Sequence, residues 1–470
     1  MACVRTPGIP AAVGVLTSAL VLGGCTSGTP AAPASSATDP PASLSAAASG
    51  EWLGYHADSE RTGAVGDPSP TGVRVAWTAD LGGAVRGQPL VADGRVLAAT
   101  ETNRIVALDP RTGRVLWSTS VGTPLTGVAE AVGCGNIDPL GVTSTPVVDP
   151  ATHTLFVVGE VSEGGGRVRH RLQGLDIATG AVRVSADVDP PLPAGQTPLH
   201  LLQRASLALG NGRVYVSYGG HIGDCGHYHG WVVGADTTDP RHQVSFQAAP
   251  DGEGGAIWQS GGAPALDAAG NVYVTTGNAN PDPPQGGPDP KRYAESVVKL
   301  SPELRPLAEY KDTTAGGDED LSTGNPVLLP GGRLFAVGKT QTGFVLAAGD
   351  LRLLVRVPGI CGSDPDGGPA YDRAHDRMFV PCRGGGVQVV DLGRGAVGAR
   401  LAGADSAPIV VGGVVWAVDS RQATLTAFDA GSGRTLQTVA VGTEVPVFTS
   451  PSTGAGLLLV GTTKGVTAFR

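Results

Sequence analysis

From Gly94 to Trp117 the chain reads GRVLAATETNRIVALDPRTGRVLW. An apolar stretch is followed by a short polar turn, a second apolar stretch closing on Leu-Asp, a Thr-Gly turn and a third apolar stretch. Alternation of apolar and polar positions predicts β-strands, because successive side chains of a strand point to opposite faces. The short polar breaks between them predict hairpin turns. The phrase recurs in degenerate form, with first strands beginning near Gly94, His153, Gly212, Gly270, Gly332, Asp376, Gly413 and Gly456. A recurring antiparallel unit of this size specifies an array, and eight copies predict an all-β, eight-bladed β-propeller.

The matching second strands carry LQGLDIATG after Arg171, GWVVGAD after His229, SVVKLSPEL after Glu295, FVLAAGD after Gly343, VQVVDLGRG after Gly386 and LTAFDAGSG after Thr424. Their Asp and Gly residues suit turns, since Asp bonds its own backbone and Gly accepts a positive φ. The last copy stops at Phe469 and Arg470, before an outer strand. VRVAWTADLG, from Val73 to Gly82, looks like such an outer strand with no partner before it. The N-terminal strand is therefore expected to complete the last blade and close the ring, which removes exposed strand edges.

Ahead of the ring, Arg5 supplies positive charge and AAVGVLTSALVL after Pro10 an apolar core, the pattern of an export signal. Leu22-Gly23-Gly24-Cys25 resembles a bacterial lipobox. That resemblance implies a lipoprotein signal peptide over 1–24, lipidation of Cys25 and a membrane anchor through it. Residues 25–50, rich in Ala, Pro and Ser, have too few large apolar groups to pack and are expected to be a disordered tether. The propeller is assigned to 51–470. An ordinary signal peptide with a chance cysteine is the competing reading of the same residues.

Composition agrees with an exported, β-rich body, with 72 Gly among 470 residues and no helical periodicity that persists. The formal charge of -9 is spread over turn carboxylates, and no Lys or Arg run appears. Nucleic acid is excluded as a partner on that ground, because phosphate binding needs a concentrated basic face. Of the six cysteines, Cys134, Cys225, Cys361 and Cys382 remain beyond Cys3 and Cys25, an even number in an exported chain. Three pairings are open. Cys361 with Cys382 and Cys134 with Cys225 are favoured, the first pair flanking one short connection and the second lying in Gly-rich loops. Zinc on Cys225 with His221, Asp224, His227 and His229 is the alternative.

The V-x-A-L-D-x-x-T-G-x-x-x-W phrase resembles the pyrroloquinoline quinone (PQQ) repeat of quinoprotein alcohol dehydrogenases and outer-membrane barrel assembly lipoproteins. The likeness covers about Glu51 to Arg470. IWQSGGAPALDAAGNVYVTTGNANP, from Ile257 to Pro281, is similar to the dehydrogenase segment that supplies the quinone floor and a calcium ligand. The resemblance implies those roles for Trp258 and Asn278. GDEDLSTGNPVLL from Gly317 resembles the segment of the catalytic base, implying Asp320 with Asp318 beside it. GKTQTGFVLAAGD from Gly338 points to Lys339 as a contact to the quinone oxygens. Read from the residues alone, Trp258 serves equally as a packing aromatic, Asn278 as a turn residue and Asp318 to Asp320 as an acidic loop.

Two departures stand against the dehydrogenase pattern: no two cysteines are adjacent, and in GGHIGDCGHYHGWVVGAD only Asp224 is placed to substitute for the usual Glu calcium ligand. No CxxCH haem motif occurs. PQQ and calcium are thus the implied cofactors, and the blades stand equally well with none. The sequence reading is an exported monomer, lipid-anchored at the outer face of the cytoplasmic membrane or in the cell envelope. It acts there as a binding, sensing or assembly module toward an envelope protein partner or a small-molecule ligand. The alternative is a PQQ- and calcium-dependent dehydrogenase oxidising an alcohol or sugar.

Overall fold

The structure is a computed structural model and describes residues 50–280 and 289–470. Cys25, the export signal and the tether lie outside the described residues. Eight four-stranded antiparallel sheets follow one another along the chain. Blade 1 comprises Leu90–Ala92, Arg95–Ala99, Arg104–Leu108 and Val115–Ser120, in that spatial order. Blades 2 to 7 occupy residues 147–187, 208–247, 265–311, 327–357, 370–401 and 409–440. Blade 8 takes its three inner strands from 452–469 and its outer strand from Val75–Asp80, which pairs with Gly465–Phe469. The N-terminal strand closes the last blade, as the sequence predicts.

Each blade has one more strand than the sequence phrase contains. What reads as the first strand is the second, and ahead of it runs a short innermost strand such as Leu90–Ala92, Val147–Asp149 or Val327–Leu329. These segments are buried throughout. Three residues facing protein on both sides show no alternation, so periodicity cannot find them. Outer strands reverse the pattern: Val115–Ser120 is mostly exposed.

The Thr-Gly turns also join the blades together. Gly113 and Gly180 have φ of 69° and 73°. A Cβ there would come within 2.6 Å of the Trp77 ring and 2.5 Å of the Trp117 ring respectively. Each indole lies on the glycine of the next blade and donates to a backbone carbonyl there, Trp77 Nε1 to Pro110 O and Trp117 Nε1 to Ile177 O, both at 2.8 Å. Glycine is required twice over, for the left-handed turn and for the flat contact.

Residues 50–65 form a strap along the channel-facing edges of the innermost strands, a role the repeat does not announce. Backbone amides of six blades donate to it in order: Val91 to Trp52, Val148 to Leu53, Leu266 to Ser59, Leu328 to Glu60, Tyr371 to Thr62 and Val410 to Gly63. Ala64–Val65 then adds a parallel strand to blade 7. Trp52, His56 and Arg61 are fully buried. Arg61 donates to the carbonyls of Pro264, Tyr55 and Asp58 at 2.8, 3.0 and 2.9 Å, and so neutralises a buried guanidinium with backbone dipoles. The strap satisfies strand edges that would otherwise face the channel with unpaired amides.

Candidate functional site at the channel mouth

Two kinds of loop gather at one end of the ring: the connections between blades and the hairpins joining the second and third strands. Trp258 comes from the connection between blades 3 and 4, and Asp320 from that between blades 4 and 5. Asn278 and Lys339 come from the hairpins of blades 4 and 5, and Asp224 from that of blade 3.

Asp320 is buried, at 6% exposure. Its Oδ1 accepts from the Asn278 amide at 2.9 Å, and Lys339 Nζ lies 3.1 Å from its Oδ2. Lys339 Nζ also donates to Asp318 Oδ1 at 2.6 Å. The Gly-Asn and Gly-Lys dipeptides make this approach possible. A Cβ at Gly277 would fall 2.1 Å from Asp320 Oδ1, and one at Gly338 would fall 2.4 Å from Leu321 Cα. Burial raises the Asp320 pKa, against Lys339 and the Asn278 amide. Burial acts to lower Lys339, and Asp320 with Asp318 outweighs it, so the ammonium ends above its ordinary value.

Sequence reasoning missed a third acid here. Glu295 is buried at φ 51°, and its Oε2 has no hydrogen-bond partner. Burial first, then the Asp320 carboxylate, pushes its pKa up to about 8. Nothing in AESVV marks it, because it sits where a strand begins and reads as a polar turn residue.

Trp258 precedes a tight turn in which Gln259 and Ser260 both have positive φ, 50° and 46°. Its ring meets Phe448 edge-on, with centroids 5.8 Å apart. Phe448 in turn carries the Arg204 guanidinium, 5.1 Å from its centroid. Arg86 pairs with the buried Glu101 at 3.1 Å, and Arg383 Nη2 donates to Asp366 Oδ1 at 2.9 Å. The mouth therefore has an acidic sector around Asp320 and a basic one around Arg86 and Arg204.

Asp224 stands apart from the Asp320 cluster. It is exposed at φ 50°, and its Oδ1 accepts from the Tyr228 hydroxyl at 2.6 Å. Its loop is fastened by the disulfide between Cys134 and Cys225, with Cα atoms 5.9 Å apart. Cys361 is bonded to Cys382, so both favoured pairings are present. Zinc is excluded at the histidine loop: Cys225 is in a disulfide, His227 pairs with Glu253, His229 with Gln196 and Gly252, and His221 with Leu199. Among the described residues no three His, Cys, Asp or Glu side chains converge as a metal site.

The donors at the mouth do not fit a calcium ion as they stand. The Lys339 ammonium already stands 3.1 Å from Asp320 Oδ2, where a second cation would be repelled, and Asp224 is exposed and bonded to Tyr228 away from that cluster. Calcium wants six to eight oxygens with free lone pairs. A cavity of about 710 Å³ lies at the other end of the ring, between the strap at Asp58 to Gly66 and the first turns of blades 4 to 7.

The comparisons agree with this architecture. Residues 69–222 match the family model described as outer membrane protein assembly factor BamB. The quinohemoprotein alcohol dehydrogenase ADH IIB of Pseudomonas putida is 25% identical over 312 residues, covering 60% of this chain and 42% of that protein. The chain thus matches less than half the length of that curated relative. The crystal structure of quinohemoprotein alcohol dehydrogenase from Comamonas testosteroni superposes with a TM-score of 0.68 at 16% identity, over 90% of this chain and 81% of that one. BamB from Moraxella catarrhalis gives 0.56 at 12% identity, over 84% and 99%. In sequence phrase and in its ring of eight blades, the chain resembles the PQQ-repeat β-propellers.

Proposed function

We propose that the chain is an extracytoplasmic PQQ-like propeller acting at the cell envelope as a binding, sensing or assembly module. Its relatives in fold include an outer membrane assembly factor, and no helix among the described residues is long and apolar enough to cross a membrane. In this reading Cys25 carries the lipid anchor, residues 25–50 tether the ring, and the loops of the channel mouth meet an envelope protein or a small molecule.

The observation that carries it is the internal pairing of Asp320. A carboxylate that must hold calcium or take a substrate proton is best left without a counter-charge, and here the Lys339 ammonium, 3.1 Å from Oδ2, already neutralises Asp320 while the Asn278 amide bonds its other oxygen. One observation favours the dehydrogenase reading instead. Trp258, Asn278, Asp320 and Lys339 all reach one mouth, where PQQ, if bound, would supply the hydride acceptor. Titration of PQQ into the purified protein, with and without calcium, decides between them by fluorescence and quinone absorbance. No calcium-dependent saturation is expected. Saturable, calcium-dependent binding that Asn278→Ala abolishes would overturn the module reading.

A further inference from the structure

We propose that the wall between blades 6 and 7 carries a socket for a tryptophan side chain of a partner protein, with an acidic residue beside that tryptophan. The site lies at the end of the ring opposite the mouth and stands whichever reading of the mouth holds. The fold supplies the template. At two blade boundaries an indole from an outer strand lies on the turn glycine of the next blade and donates to the carbonyl that follows the turn Asp. These are Trp77 on Gly113 with Pro110 O, and Trp117 on Gly180 with Ile177 O, both bonds 2.8 Å long.

Blade 7 keeps the receiving half of this joint. Its turn, Asp429-Ala430-Gly431-Ser432-Gly433, has the same spacing, and Gly433 has φ 74°. The Gly433 amide donates to Asp429 O at 2.8 Å, as Gly113 does to Asp109 O and Gly180 to Asp176 O. Blade 6 does not supply the ring. Arg400 pairs with Gln388 as Ser118 pairs with Val106, so Ala399 holds the place of Trp117. At two other boundaries without an indole, Val355 covers Gly395 and Gln437 bonds both backbone groups of Val73. Over Gly433 there is no such cover. Apart from its chain neighbours, only Leu401 among the described residues would come within 4 Å of a Cβ there, in the place that Thr119 takes beside Gly180.

The result is a cavity of about 210 Å³ whose lining includes Gly398, Ala399, Ala430 and Gly433. A cavity of about 150 Å³ holds benzene, so this one has room for a bicyclic ring. Ala430 O, the counterpart of Pro110 O and Ile177 O, accepts only a long bond, 3.5 Å, from Arg377 Nη1, and can receive an indole N–H. A second copy of the chain has no ring to offer. Of its six Trp, Trp52, Trp231 and Trp416 are buried, Trp77 and Trp117 are docked, and Trp258 packs on Phe448. Arg377, Arg394 and Asp391 also line the cavity. Arg394 stands 3.8 Å from Asp391, whereas Arg377 bonds only the carbonyls of Ala430 and Gly431. The uncompensated arginine selects an acidic neighbour for the incoming tryptophan.

The test is fluorine NMR titration of the full chain with acetyl-Glu-fluoroTrp-Glu-amide, alongside the Lys-flanked peptide and N-acetyl-fluorotryptophanamide. The Glu peptide is expected to bind saturably, and at least about threefold more tightly than either of the others. Ala399→Trp should fill the socket from within, abolish that binding and melt no lower than the wild type, since it restores the joint seen at Trp117. Should that variant fail to fold, Arg377→Gln leaves the socket in place and is expected to bring the two flanked peptides to about equal affinity. The proposal is overturned by no saturable binding to the wild type, by undiminished binding to Ala399→Trp, or by an unchanged preference in Arg377→Gln. The Lys peptide or the free amide binding as tightly as the Glu peptide would overturn it as well. PQQ titrated at the mouth reads out separately, and neither of its outcomes alters this result.

Discussion

The strap and the mouth sit on one channel, yet the strap is tied by backbone amides and the mouth by side-chain charge. Along the strap, six carbonyls between Trp52 and Gly63 each receive an amide from a different blade, and every one of those partners is fixed by chain geometry. At the mouth, Asp320, Lys339, Glu295, Arg86 and Arg204 depend on one another's charge and on exclusion of water. The first arrangement specifies shape. The second leaves groups whose protonation and partners can change, as a recognition surface requires.

The sharpest way to break this contrast is to remove the strap's central cation. Arg61→Met should lose three buried hydrogen bonds to carbonyls and destabilise by about 3 kcal/mol or more in urea unfolding, with no selective effect at the mouth. A loss below about 1 kcal/mol would mean that the strap is not integral to the ring. Gly338→Ala is expected to cost about 2 kcal/mol, because its Cβ meets Leu321 backbone at 2.4 Å, and to disturb the Asp320–Lys339 pair.

Stability should also follow pH on both sides of a maximum near pH 6. His170, completely buried, is lowered by burial and raised more by Asp189 and Glu160, ending at about 9. Its contribution is complete below its unfolded pKa of about 6.5 and is lost as pH rises through about 9. Glu295, raised to about 8, acts in the same direction, because ionising it costs more folded than unfolded. His56 and His221, lowered by burial to about 3 and about 4, cost stability as pH falls below about 6.5. A melting profile from pH 4 to 10 checks this, and His170→Gln should flatten its alkaline limb. The smallest effect belongs to the aromatic wall. Phe448→Leu should cost about 1 kcal/mol in urea unfolding, and no change would mean that its ring does not support Trp258 and Arg204.

The strands, ring closure and both disulfides were legible in the sequence, because period-two alternation, Asp and Gly turns and an even cysteine count are local signals. The innermost strands were not, since Leu90–Ala92 and its equivalents are too short and too evenly buried to alternate. Of the mouth, Asp320, Lys339, Asn278 and Trp258 were reached only through the resemblance of the phrases around them to quinoprotein dehydrogenase segments, since the residues alone read equally as turns, an acidic loop and a packing aromatic. Glu295, Arg204 and Phe448 lie in irregular loops, where only the ring's closure reveals which residues meet. The same holds for Tyr228, whose hydroxyl decides what Asp224 does.

The closing strand has a consequence in time. Val75–Asp80 finds its partner in Gly465–Phe469, and Thr78 lies 389 residues from the Thr467 hydroxyl it faces. A ribosome finishes this strand long before the sequence that pairs with it exists. The early part of the ring must therefore wait, with its amides bound to water or to a chaperone, and the ring can snap shut only once its last blade is made.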